Sequence, residues 1–195
     1  MQPLSTLKEL IVTVRKFESY SVQYNKELSG LLKKPYWLTN ESYCYFVGDK
    51  YSNRWSLVPR GFASDGASVP AFLQGLVPVW GIHGAAVLNH DRMCELGYIW
   101  ELKPNGLVEK VFLTRREIDN IFFESLKVVD APLDLRRKIE VGVNAYRIFT
   151  KPVVPNPNTD KERFEMNYRA TRGWAELDGS KLYEYLGIPT SEVAL

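Results

Sequence analysis

Phe62-Ala63-Ser64-Asp65-Gly66-Ala67-Ser68-Val69-Pro70 and, a short way on, Ala85-Ala86-Val87-Leu88-Asn89-His90-Asp91 are the parts of the chain that organise the rest. The first is a small-residue turn carrying a carboxylate. Gly66 permits a positive φ or a close approach of the backbone to a ligand. Ser64, Asp65 and Ser68 can each bond nearby backbone amides. Val69 precedes proline and is therefore extended. The turn also has a plain reading as the cap of a short helix over 71–76. The second part belongs to a helix predicted over 82–96, with Gly97 as its stop. His90 shares a mostly apolar side with Ala86, Val87, Met93 and Cys94, and Asp91 sits one step round.

Outward from this stretch the texture alternates. Upstream, Tyr43-Cys44-Tyr45-Phe46-Val47 and Trp55-Ser56-Leu57-Val58 flank a polar turn at 48–50, which predicts a hairpin or small sheet. The residues before it, 4–34, fit a helical face (Leu7, Leu10, Ile11, Val14) or a strand equally well. Downstream, Asn105-Gly106 between two β-type runs predicts a second hairpin. Thr114 with Glu117 has the spacing of a capping box and opens another helix. Its buried face is Ile118, Ile121, Phe122, Ser125, Leu126 and Val129, with Asp119 at the edge. A further helix follows Asp130-Ala131-Pro132, with Leu135, Ile139, Gly142, Tyr146 and Phe149 at helical spacing. Its Arg136, Arg137, Lys138 and Arg147 read as a solvated basic face. The proline-rich residues 151–158 read as a linker or arm. The tail beyond is charged and aromatic and has no core of its own, so it packs back on the domain or onto a partner.

The fold class expected is therefore α+β: a small antiparallel β region, then an antiparallel helix pair with an intervening β-hairpin, then an extended C-terminal tail. The expected division is one α+β domain over 1–150 and a proline-led arm over 151–195.

Composition removes several function classes. The net charge of the 195-residue chain is only +2, too small to argue for nucleic acid. No apolar run approaches the ~18 residues of a membrane span. The first residues lack a signal-peptide profile, because Lys8, Glu9, Arg15 and Lys16 break every apolar run. This points to the cytoplasm during synthesis, with export only by lysis or in a particle. Cys44 and Cys94 form neither a CxxC pair nor a disulfide framework. The two histidines, His83 and His90, do not have the i,i+4 spacing of a helical zinc pair, and HExxH is absent.

Two kinds of chemistry remain open. A hard cation such as Ca²⁺ needs oxygen ligands, which Asp65, Asp91 and the carbonyls of Gly66, Ala67 and Ser68 can offer. A water-activating pair needs a histidine base with a carboxylate behind it, which His90 and Asp119 supply if their helices are neighbours. The bland alternative is a satisfied core histidine beside an ordinary polar edge. A serine nucleophile at Ser64 or Ser68 lacks the G-x-S-x-G elbow.

The blocks Val58-Pro59-Arg60-Gly61-Phe62-Ala63-Ser64-Asp65-Gly66-Ala67-Ser68-Val69-Pro70, Ala85–Asp91 and Thr114-Arg115-Arg116-Glu117-Ile118-Asp119 resemble a phage and prophage family, domain-of-unknown-function family 1353. The resemblance spans about 36–149 and implies a phage or prophage origin but no activity. The family usually has a tyrosine where this chain has Cys94. An architectural resemblance to A2-class phospholipases, with their His-Asp helix, hairpin and second aspartate, implies His90 as base, Asp119 as its partner and Asp91 as a calcium ligand. The glycine-rich calcium loop and disulfides of those enzymes are absent. Two functions follow as expectations. One is a virion- or tail-associated component that contacts other virion proteins through its C-terminal tail. The other is a hydrolase acting on lipid or cell-envelope material.

Overall fold

A computed structural model describes residues 20–48, 52–66 and 78–187. The expected turn from residue 67 on, including Ser68, the short helix expected over 71–76 and the first part, 4–19, of the ambiguous run over 4–34 lie outside the described residues.

The fold is α+β. Two antiparallel sheets carry it. The first orders β1 (Val22–Tyr24), β2 (Trp37–Thr39) and β5 (Ala63–Ser64), with helix α1 (Lys26–Leu32) between β1 and β2. The second orders β3 (Tyr43–Phe46), β4 (Arg54–Val58), β6 (Tyr98–Leu102) and β7 (Val108–Phe112). The aromatic hairpin predicted upstream is β3–β4, in register from Tyr43 opposite Val58 to Phe46 opposite Trp55. The Asn-Gly hairpin is β6–β7, with Leu102 opposite Val108. Gly106 takes φ +79° at its tip, a conformation that costs glycine nothing.

Helix α2 (Gly84–Leu96) ends where Gly97, at φ +71°, turns its N–H back to the Met93 carbonyl. Helix α3 (Arg115–Val128) starts with a complete capping box between Thr114 and Glu117. Its inner face is the predicted one, and Phe122 and Leu126 join Ala86, Val87 and Leu88 of α2 in one core. Helix α4 (Leu133–Thr150) packs Ile139 into the same core. Its last turn departs from the pattern: Phe149 is 84 % exposed.

The segment after Thr150 is more structured than an extended tail. Residues 151–158 lack regular secondary structure; α5 (Thr159–Thr171) and α6 (Leu182–Leu186) follow. Asn158 caps α5 by accepting the Lys161 N–H. The i,i+4 pairs Lys161–Glu165 and Glu165–Arg169 run along its buried side. Mixed charge conceals this helix from an apolar-periodicity argument, because its buried residues are ionic. The remainder packs back on the domain. Leu182 and Tyr183 fill the second sheet's core beside Trp55 and Cys44, and Trp55 Nε1 donates to the Gly179 carbonyl at 2.9 Å.

Candidate functional site

Three segments meet at one cleft. From α2 come His90, Asp91, Cys94 and Glu95, two adjacent pairs one turn apart. From α3 come Arg115 and Phe122. Strand β5 and the residues after it bring Ser64, Asp65 and Gly66. Helix α4 closes one side with Ile139, Gly142, Val143 and Tyr146. The cleft holds about 540 Å³, within the usual range for a small-molecule site.

His90 and Asp119 are hydrogen-bonded, with Nε2 3.0 Å from Oδ1. The imidazole stacks on Phe122, ring centroids 4.4 Å apart. Asp119 is not at an edge; it is 0 % exposed. Burial of a carboxylate is tolerated where donors surround it. Arg115 Nε donates to its Oδ1 at 2.8 Å, and Arg147 Nη1 donates to its Oδ2 at 2.8 Å. Burial pushes the Asp119 carboxyl up, but the His90 hydrogen bond and the Arg115 charge more than offset this and hold it below its ordinary value. Arg147 is therefore not part of a merely solvated face. It turns inward from α4 and ties three helices to one carboxylate.

Burial lowers the His90 pKa below its ordinary value, against the pull of Asp119, so the ring is neutral at pH 7. The Nε2–Oδ1 contact is short, and Asp119 is an acceptor. The ring proton therefore sits on Nε2. Cys94 Sγ at 3.7 Å and Arg115 Nη2 at 3.4 Å from Nε2 are longer contacts. Nδ1 is left as the free base. Its nearest charged neighbour is Asp91 Oδ1 at 3.9 Å, too far for a direct hydrogen bond and wide enough to invite a bridging water.

Asp91 is pushed up to about 7, first by burial and then by the charge of Asp65. Ser64 Oγ donates to its Oδ2 at 2.5 Å and accepts the Gly66 N–H at 2.9 Å. Gly66 has φ +78°; a Cβ there would meet Val79 at 2.6 Å. Asp65 accepts from Lys34 Nζ at 2.7 Å. Asp65 and Asp91 therefore do come together, as the sequence suggested for a cation. Among the described residues the donors number fewer than the 6–8 oxygens calcium takes. Lys34 pairs with Asp65, and among the described residues no three His, Cys, Asp or Glu side chains converge on one point. The carbonyls of Ala67 and Ser68 lie outside the described residues.

No local signal announces the far wall. Lys161 of α5 is buried between Glu95 and Glu165. Burial pulls its pKa down, but the two carboxylates outweigh this and hold it high. Glu165 Oε1 also accepts the Ala63 N–H at 2.6 Å. The C-terminal segment thus completes the cleft. Arg115, four residues before Asp119 on one helix, was a partner a spacing argument could have found.

A model of the family described as "Protein of unknown function (DUF1353)" matches residues 37–140, more than half of the chain. The chain belongs to that family. No curated protein and no solved structure matches it. The matched residues include Asp65, His90, Asp91, Arg115 and Asp119, whereas Arg147 and Lys161 lie beyond them. No helix among the described residues is long and apolar enough to cross a membrane.

Proposed function

We propose that the chain is a hydrolase in which His90 activates water, acting on an ester of lipid or cell-envelope material. The observation that carries this is the ring geometry of His90. Nε2 is anchored on a buried, ionised Asp119, so the unprotonated Nδ1 belongs to a residue that lines a cleft of about 540 Å³. A satisfied core histidine would have no such opening. The wall of Val87, Phe122, Ile139 and Val143 suits an apolar substrate portion.

The step is simple. Water bound at Nδ1 loses a proton to it as its oxygen attacks the ester carbonyl carbon. The imidazolium formed is stabilised by Asp119, and Arg115 and Arg147 keep that carboxylate fixed and ionised. Asp91, half-protonated near neutral pH, gives its proton to the departing alkoxide as the carbon–oxygen bond breaks. The proton held at Nδ1 then returns to Asp91 across the 3.9 Å gap through water. No step needs a metal; should a cation bind at Asp65 and Asp91, it would supply charge for the developing oxyanion. The test is a screen of phospholipid vesicles and small esters with wild type and His90→Gln. Hydrolysis by wild type alone supports the reading, and equal rates or none overturn it.

A second reading is supported by a different observation. Ile148, Phe149 and Val153 are exposed at the end of α4 and the start of the segment that follows it, Phe149 at 84 % and Val153 at 76 %. Such a surface suits a protein partner, in keeping with a phage or prophage protein held in a virion or tail. Its presence in purified particles supports this reading, and its absence from them sinks it.

A further inference from the structure

A second groove, distinct from the cleft, lies between β1–α1 and α5. It holds about 390 Å³. Its walls come from Gln23, Tyr24 and Glu27 on one side and from Phe164, Asn167 and Tyr168 on the other. All six lie outside the residues matched by the family model, 37–140. The groove is therefore built by the parts of this chain added to the family core.

The chemistry of these walls is specific. Tyr24 is 52 % exposed. Phe164 and Tyr168 are one turn apart on α5 and stack at 24°, centroids 5.9 Å apart. Tyr168 is covered by Phe164 and Arg172, so the exposed aromatic ring is that of Tyr24, and such a ring receives a flat apolar surface. Between them stand planar polar groups. The amides of Gln23 and Asn167 make no hydrogen bond among the described residues, and each carries donors and an acceptor. Glu27 adds an acceptor, and the Arg172 guanidinium, 3.4 Å from the Tyr168 ring centroid, adds donors.

We infer that this groove binds a saccharide of one or two rings. A pyranose presents an apolar C–H face for an aromatic ring and a rim of hydroxyls that both donate and accept. Free amides and a carboxylate flanking tyrosines match that pattern; a lipid would leave them unpaired, at a cost. The site does not depend on the hydrolase reading, since it shares no residue with the cleft.

The experiment is titration calorimetry of the full chain with chitobiose, cellobiose and maltose, one at a time, and with inorganic phosphate. At least one disaccharide should bind with a dissociation constant of about 1 mM or tighter. Asn167→Ala and Tyr24→Ala, both at exposed positions, should each weaken it tenfold or more, and His90→Gln should leave it unchanged. Binding of no disaccharide overturns the inference. So does binding that survives both groove variants, or that His90→Gln abolishes. Phosphate competing with the sugar overturns it as well, by making the groove an anion site at Arg172.

Discussion

Asp119 Oδ1 accepts from His90 Nε2 at 3.0 Å and from Arg115 Nε at 2.8 Å, so one buried oxygen fixes both a base and a cation. Its other oxygen holds Arg147. The carboxylate is thus a positioning group for His90 and a clamp between α2, α3 and α4.

Replacing that group separates the two roles. Asp119→Asn keeps the shape but weakens the pull on the Nε2 proton. Hydrolysis should fall by ~10²–10⁴-fold, the range a positioned base contributes, with KM little changed. Asp119→Ala strands two arginines and should cost about 3–5 kcal/mol of stability by chemical denaturation. A variant with full activity would remove Asp119 from the mechanism.

The depressed His90 pKa has a consequence for stability. Below about pH 6.5 an unfolded histidine takes up a proton that the folded ring refuses. The His90 contribution to stability should therefore decline as pH falls below 6.5 and level off once the folded ring also protonates, against the opposite trend of Asp91. His90→Gln should flatten that part of the profile. Melting curves across this pH range check it; parallel profiles for the two proteins would contradict it.

Asp91 acts in the opposite direction. Its folded value of about 7 means the native chain retains a proton that the unfolded chain releases near pH 4. This contribution is present in acid and is lost as pH rises towards 7. Asp91→Asn should gain stability over wild type at pH 8 but not at pH 4. In kinetics, it should remove the loss of rate above pH 7 and lower the maximum.

Ending the chain at Thr150 tests the role of the C-terminal segment. Trp55 and Phe62, both fully buried, would lose the cover of Tyr183 and Lys161. Each buried side chain of this size contributes about 1.5–3 kcal/mol, so the truncated chain should lose several kcal/mol, a large part of a typical domain's stability. A cooperative melt close to wild type would show that 1–150 folds on its own.

Local signals were readable in the residues. The Thr114 capping box, the Asn105-Gly106 hairpin and the His90-bearing helix each depend on a few adjacent side chains, and together they placed His90 opposite Asp119. What depended on distant partners was hidden. Asp119 reads as an edge residue until Arg147, a helix later, shows why it can be buried. Lys161 and Glu165 read as solvated charge, because nothing local says that Glu95 and the Ala63 amide await them. Lys34 was hidden in the same way, since it is distant in sequence from Asp65, the carboxylate it pairs with.

Everything assigned to the cleft depends on which ring nitrogen of His90 carries the proton. Long-range nitrogen–proton correlation spectra of the imidazole at pH 7 report this directly. The account predicts a neutral ring protonated at Nε2, with Nδ1 bare, and loss of that fixed tautomer in Asp119→Asn. A ring protonated at Nδ1, or a doubly protonated imidazolium at pH 7, would contradict it.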